Sequence, residues 1–324
     1  MDLDSLPRAA GDVIPSARAR AAGVSATLLT ARDAGRLVAV RRGMYVLAAR
    51  HDELSPVARH REMAFAVAQQ RPGVVFAGFT AAVLSGMPIV GGVPRDVVVL
   101  AAGRSGRRRN GVVEIVRRTD APILTDDGIA VTPVVDTLIE VARTRPLLTA
   151  LTMTDAALWI PRFGTGRPAA TIDELRAGFD ARSPFPGSRS VAAVLDRASS
   201  RAETPLETLS RVRIEELGFP RPELQLRVNR PRGRGPAFLD FAWPDHGVWG
   251  EADGAGKYLG GSADVGDRRS PAEIVCDEKE RENDVRSVTK WACGRWEWDE
   301  AWNGGLLRRI LQQAGLPLVR PARR

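Results

Sequence analysis

Lysine is almost missing from this chain. Of 47 basic residues only Lys257, Lys279 and Lys290 are lysines, gathered in one stretch near the carboxy-terminal end. A chain that uses arginine for every other cation keeps lysine where a compact ammonium is wanted, or else the clustering is chance. Cysteine occurs twice, at Cys276 and Cys293, which excludes a disulfide framework and a cysteine metal quartet and fits a reducing cytoplasm. No apolar run reaches the ~18 residues of a membrane span. The opening "MDLDSLPRAAGD" lacks the apolar core of a secretory signal. Histidine is scarce; His246 reads as a turn residue with no histidine partner, and no serine or cysteine has a histidine at a spacing that suggests nucleophilic catalysis. There is no internal repeat and no low-complexity tract.

The remaining composition is that of an ordinary soluble globular protein, 44% hydrophobic and 27% charged over 324 residues, long enough for two or three domains. The formal net charge of +8 points to a polyanionic partner, with arginine-rich coding as the bland alternative.

Residues 1–50 read as helix, tight turn, helix and β-hairpin. Pro15 suits a helix start and Gly23 a stop. Ser25 caps a second helix that ends at Gly35. "RLVAV" and "MYVLA" form strands around a turn carrying Arg41 and Arg42. This is the layout of a winged helix-turn-helix, in which the second helix enters the major groove and the wing lies on phosphate. The DNA-binding candidates are Ser25, Thr27, Thr30 and Arg32 on the helix, with Arg36, Arg41 and Arg42 around the wing. A helical cap with solvated arginines is the alternative.

The segment "AAGVSATLLTARDAGRLVAVRRGMYVLA" resembles the amino-terminal domain of AbiEi-type antitoxins of type IV toxin–antitoxin systems, through G-[VI]-S, a helix and an R-x-G-x-[YV] strand. "AAVLSGMPI" and "GIAVTPVVDTLIEVAR" are similar to that family's continuation. The resemblance implies a bacterial regulator that binds operator-like double-stranded DNA and has a cognate toxin as partner.

Residues 54–145 mix helices with short strands as a middle α/β domain. There "GRSGRRRNG", Gly103 to Gly111, reads as a basic hairpin loop between "DVVVLA" and "VVEIVRR". Residues 146–200 are mainly helical, with a capping box at Thr171 and Glu174.

From 203 to 310 the order is helix, three strands, helix, strand, an αβββαβ sandwich. Thr204, Pro205 and Glu207 open the first helix, and Ser270 with Glu273 opens the second. "GVWGEADGAGKYLGG" is no Walker loop: Glu251 stands where its first glycine belongs, and Tyr258 replaces the hydroxyl for magnesium. A carboxylate there would repel a triphosphate.

A four-residue turn Pro244–Gly247 pairs Trp243 with Val248 and sets Asp240 opposite Glu251, with Asp253 on the same face. Three converging carboxylates require a cation or raised pKa values, and oxygen ligands suit magnesium or manganese. A register shifted by one residue would instead leave them solvated.

This block resembles the PD-(D/E)XK nuclease fold in the branch of very-short-patch-repair endonucleases. "EADGAGKY" is similar to that branch's E-x-D-G element, and "DEKERENDVR" and "KWACGRWEW" to its helix and closing strand. The resemblance implies catalytic positions at Glu207, Asp240, Glu251 and Lys257 or Lys279, with the metal held by Asp240 and Glu251; the hairpin register adds Asp253 as a third metal candidate. The family's lysine two residues after the glutamate is Asp253 here, so Lys257 or Lys279 must substitute, or the site binds without cutting. Bland roles stand beside these: a cap for Glu207, i,i+4 pairs for Glu278, Glu282 and Arg286, phosphate contacts for Lys279 and Arg281, and core packing for Trp291, Trp296, Trp298 and Trp302.

The expectation is an α+β multidomain protein: a winged helix-turn-helix, a mixed middle domain and a restriction-endonuclease-like sandwich. The leading function is an AbiEi-type DNA-binding regulator. The alternative is a magnesium-dependent DNA endonuclease targeted by the winged helix. Neutralisation of a toxin through the later domains is compatible with the first.

Overall fold

The computed structural model describes residues 3–117, 122–161, 166–231, 235–254 and 271–319, with backbone alone for 271–276. The chain is mixed α+β with several small sheets, divided into two compact units, Met1–Ala157 with Pro168–Ala198, and Leu158–Arg167 with Ser199–Arg324. None of the described helices is long and apolar enough to cross a membrane.

The first unit opens with β1 (Ile14–Pro15), α1 (Ser16–Ala21), α2 (Ser25–Asp33), β2 (Leu37–Arg41) and β3 (Met44–Leu47). Gly23 and Gly35 end the two helices in the left-handed region, at φ 74° and 69°. Ser25 is the first helical residue rather than the cap. The cap position is Val24, which offers no side-chain bond. The sheet order is β1-β3-β2. Alternation along β3 divides its side chains between two cores. Met44 and Val46 join Phe65, Val67, Phe76, Val97 and Val112. Tyr45 and Leu47 pack against Leu28, Ala31 and Leu37. The first fifty residues therefore share one core with the segment that follows them.

That segment contains α3 (Ala48–Glu53), α4 (Pro56–Gln70), α5 (Gly78–Leu84), β4 (Val97–Leu100), β5 (Arg108–Arg109) and β6 (Val112–Ile115). The expected hairpin between the strands flanking Gly103–Gly111 is corrected here, because β4 and β6 run parallel. The hairpin is the narrower one between β5 and β6. Its two-residue turn, Asn110 at φ 50° and Gly111 at φ 73°, has the left-handed pair that a tight hairpin demands. Then come β7 (Ile123–Leu124), β8 (Ala130–Val131), α6 (Val134–Thr144), α7 (Leu147–Leu158), α8 (Ile172–Asp180) and α9 (Ser188–Leu195). The Thr171–Glu174 capping box is present at α8.

The second unit contains α10 (Pro205–Glu216), β9 (Glu223–Asn229), β10 (Pro236–Trp243), β11 (Val248–Ala252), α11 (Pro271–Thr289), β12 (Ala292–Trp296), α12 (Trp298–Trp302) and α13 (Gly304–Gln313). Its sheet order is β12-β11-β10-β9. Neighbours are antiparallel except β11 and β12, which α11 connects as a crossover. Trp249 and Trp296 are fully buried, and Trp296 donates its indole N–H to the Ser210 hydroxyl of α10 at 2.8 Å. Gly250 has a steric reason: a Cβ there would stand 2.4 Å from the Trp296 ring. Not all the tryptophans are core. Trp298 and Trp302 stack on one another at the surface, 38% and 47% exposed. Ser270, the expected cap of α11, lies outside the described residues.

Candidate functional site

The β10–β11 hairpin turns through Pro244–His246 with Gly247 at φ 60°, and Trp243 pairs with Val248. The last regular rung is Phe241 with Gly250. Carried one residue further, this register sets Asp240 directly opposite Glu251, on one face of the sheet. The Asp240 carboxylate accepts the Ala252 N–H at 3.0 Å. Glu251 is 3% exposed. Its Oε2 accepts from Arg281 at 2.9 Å, while its Oε1 is buried with no hydrogen-bond partner among the described residues. Burial, then the neighbouring Asp240, push the Glu251 carboxyl up to about 8, with Arg281 opposing.

Glu207 is also buried, at the start of α10. Its carboxylate caps the chain, accepting the Glu203 N–H and the Thr204 hydroxyl, both at 3.0 Å. It reaches one residue beyond the expected box. Its link to the acidic pair is Gln225, whose amide donates to Glu207 at 3.0 Å and lies 3.5 Å from Asp240. Gln225 occupies the left-handed region at φ 56° in the middle of β9, where the ladder skips the rung opposite Asp240. Strain of about 1–3 kcal/mol at a non-glycine residue of this kind persists only where the surroundings impose it. Nothing in the sequence singles out Gln225, because glutamine carries no left-handed preference.

Asp253, whose charge also reaches Glu251, has a cation of its own. Arg295 of β12 grips it with two hydrogen bonds, 2.7 and 2.9 Å long, and also bonds Glu278 and Glu282 of α11. Asp253, expected as a metal ligand, is part of a four-membered ionic cluster with Arg295, Glu278 and Glu282. Its bonds, then those of Glu278, outweigh burial and hold the Arg295 guanidinium above its ordinary range. Glu282 also pairs with Arg286 at 2.6 Å, as its spacing predicts.

Lys257 lies outside the described residues. Lys279 is exposed, and lies about 200° around α11 from Arg281. Among the described residues the cation beside the acidic pair is Arg281, which also donates to the Phe238 carbonyl at 3.3 Å. Cys293 is half-buried, and burial followed by Glu251 pushes its thiol up to about 12, far from a thiolate nucleophile. Among the described residues no group of three or more His, Cys, Asp or Glu is arranged to hold a metal ion. The carboxylates of Asp240 and Glu251, the latter with a desolvated Oε1 that has no donor among the described residues, nevertheless fit a hard divalent cation as oxygen ligands.

The candidates of the first unit are divided. Thr30, Arg32, Arg36 and Arg42 are exposed, while Ser25 and Thr27 are half-buried. Arg32 is engaged with its neighbour Asp33 through two bonds of 2.7 and 2.9 Å. Arg41 is turned inward: it donates to Gln70 at 2.8 Å and to the Asn110 carbonyl at 2.6 Å. Gln70 returns a bond to the Arg42 carbonyl. Arg41 thus ties the β2–β3 turn to α4 and to the β5–β6 turn, and Arg42 is the arginine of that turn that faces solvent. No family model, no curated protein and no solved structure matches the chain.

Proposed function

We propose that the chain is a DNA-binding protein whose carboxy-terminal unit is a divalent-metal-dependent nuclease-like domain. What carries this reading is the hairpin register, which sets Asp240 opposite Glu251, together with a buried glutamate oxygen that has no donor among the described residues. Two adjoining carboxylates, one of them buried, coexist only if a cation joins them or one keeps its proton. The order α10-β9-β10-β11-α11-β12, with β12 parallel to β11, agrees with the restriction-endonuclease-like sandwich that the sequence resembles.

In this reading Asp240 and Glu251 hold the ion, which supplies charge neutralisation at a phosphodiester and activation of water when bound. Gln225 fixes the Glu207 and Asp240 carboxylates in register. Arg281 stands in for the lysine of the resembling family; its forked donors match phosphate oxygens and balance charge on the reacting group. The test is nicking of supercoiled plasmid in magnesium or manganese. Wild type should nick, and Asp240→Ala should lose activity by on the order of 100-fold or more. No nicking with any divalent ion would remove the enzymatic reading.

A second reading, a regulator of the AbiEi type that binds but does not cut, is favoured by one observation. Glu251 is already paired with Arg281, and Lys279 faces away. Under that reading α2 and the β2–β3 turn present Thr30, Arg32, Arg36 and Arg42 to operator DNA, and a toxin binds elsewhere on the chain. Operator affinity that falls steeply with salt and survives Asp240→Ala supports it.

A further inference from the structure

The first unit encloses a cavity of about 300 Å³ between the sheet and α6. Leu100 and Ile115 border it, and they are the last residues of the parallel strands β4 and β6. The carboxyl ends of parallel strands are where open α/β sheets leave room for ligands. The opposite wall is one stripe of α6: Asp136, Ile139, Glu140 and Arg143, spaced i, i+3, i+4 and i+7. Phe185 and Pro186 close a third side.

The polar lining is unbalanced. Three guanidinium groups, Arg117, Arg143 and Arg182, meet two carboxylates. Arg182 pairs with Asp136. Arg117 and Arg143 share the single carboxylate of Glu140: Arg117 donates at 2.7 and 3.3 Å and Arg143 at 3.0 Å. Among the described lining residues one positive charge is left over beside an apolar chamber. The Arg117 side chain is 35% exposed, so this charged end meets solvent.

We propose that this cavity binds a small amphipathic monoanion, a carboxylate or sulfonate with an apolar body. The apolar part lies against Leu100, Ile115, Ile139 and Phe185, and the anion reaches Arg117 and Arg143. Guanidinium forks favour planar oxyanions, and a desolvated charge of one sign selects against an uncharged ligand of the same shape.

The probe is 8-anilinonaphthalene-1-sulfonate, titrated by fluorescence into the full chain in chelator-containing buffer. Expected is saturable binding of one probe per chain, displaced by decanoate and not by decanol. Arg117→Gln should weaken the probe by about tenfold. Ile115→Trp, which fills the chamber and leaves the arginines in place, should abolish the saturable phase, with circular dichroism and the melting midpoint reporting the fold. Three results would overturn the assignment: no saturable binding, equal displacement by decanol, or unchanged binding in a folded Ile115→Trp protein. The decanoate–decanol comparison needs no variant, so it decides the matter even if both substitutions unfold the chain.

Discussion

Two buried glutamates, one in each unit, show what burial means and what it does not. Glu140 and Glu251 are 8% and 3% exposed, and in both the carboxyl is pushed upward, chiefly by burial. Around Glu140 both oxygens are satisfied by two arginines. Around Glu251 one arginine serves one oxygen, the other oxygen has no donor among the described residues, and a second carboxylate stands nearby. A buried acid that is fully compensated holds the fold. A buried acid left partly uncompensated beside another acid is, on the reading proposed above, a place for a cation. The surplus runs in opposite directions, toward an anion at the α6 cavity and toward a cation at the β10–β11 hairpin.

The contrast is sharpest in stability. Glu140→Gln deprives two arginines of their shared carboxylate and should destabilise by roughly 1–3 kcal/mol in urea unfolding. Arg295→Met should have an effect of the same order, because it leaves Asp253, Glu278 and Glu282 without the guanidinium they share. The cost is roughly 1–3 kcal/mol after allowing for its partial exposure, and should shrink in high salt. If Arg295→Met proved neutral, the ionic cluster would have no structural role.

The pH dependence separates the glutamates further. The folded protein keeps the Glu251 proton up to about 8, whereas the unfolded chain releases it near the ordinary 4.5. The stability from this group is therefore complete below about 4.5 and is lost as pH rises through about 8. In chelator, wild-type stability should fall between pH 5 and pH 8 relative to Glu251→Gln. Parallel curves for the two proteins would contradict the compensation argument. The smallest effect concerns the β2–β3 turn. Arg42→Ala should lower the slope of log affinity for DNA against log salt by about 1 without changing the melting midpoint. Arg41→Ala should instead cost about 1 kcal/mol of stability, through its bonds to Gln70 and Asn110.

How much of this was legible in the sequence follows from where its signals are local. The Pro244–Gly247 turn sets the hairpin register, so the opposition of Asp240 and Glu251 can be counted from the residues. The α8 cap is local in the same way. Gln225 is not legible, because its backbone conformation is imposed by the groups around it. The exchange of Lys279 for Arg281 depends on which side of a highly charged helix faces the sheet, and period alone does not show that. The pairing of Asp253 is not legible because Arg295, its partner, lies on β12, far along the chain. The parallel pairing of β4 and β6 is hidden by a basic segment that looks like a hairpin tip, although Asn110-Gly111 marks the true turn one strand later.

The central claim is that Asp240 and Glu251 together hold one divalent cation. Calorimetric titration of manganese into the chain at pH 8 tests it most directly. The account predicts one ion per chain, affinity lowered by about 10–100-fold in Asp240→Asn, and little change in Asp253→Asn. Absence of binding by wild type, or equal loss in the two variants, would contradict it.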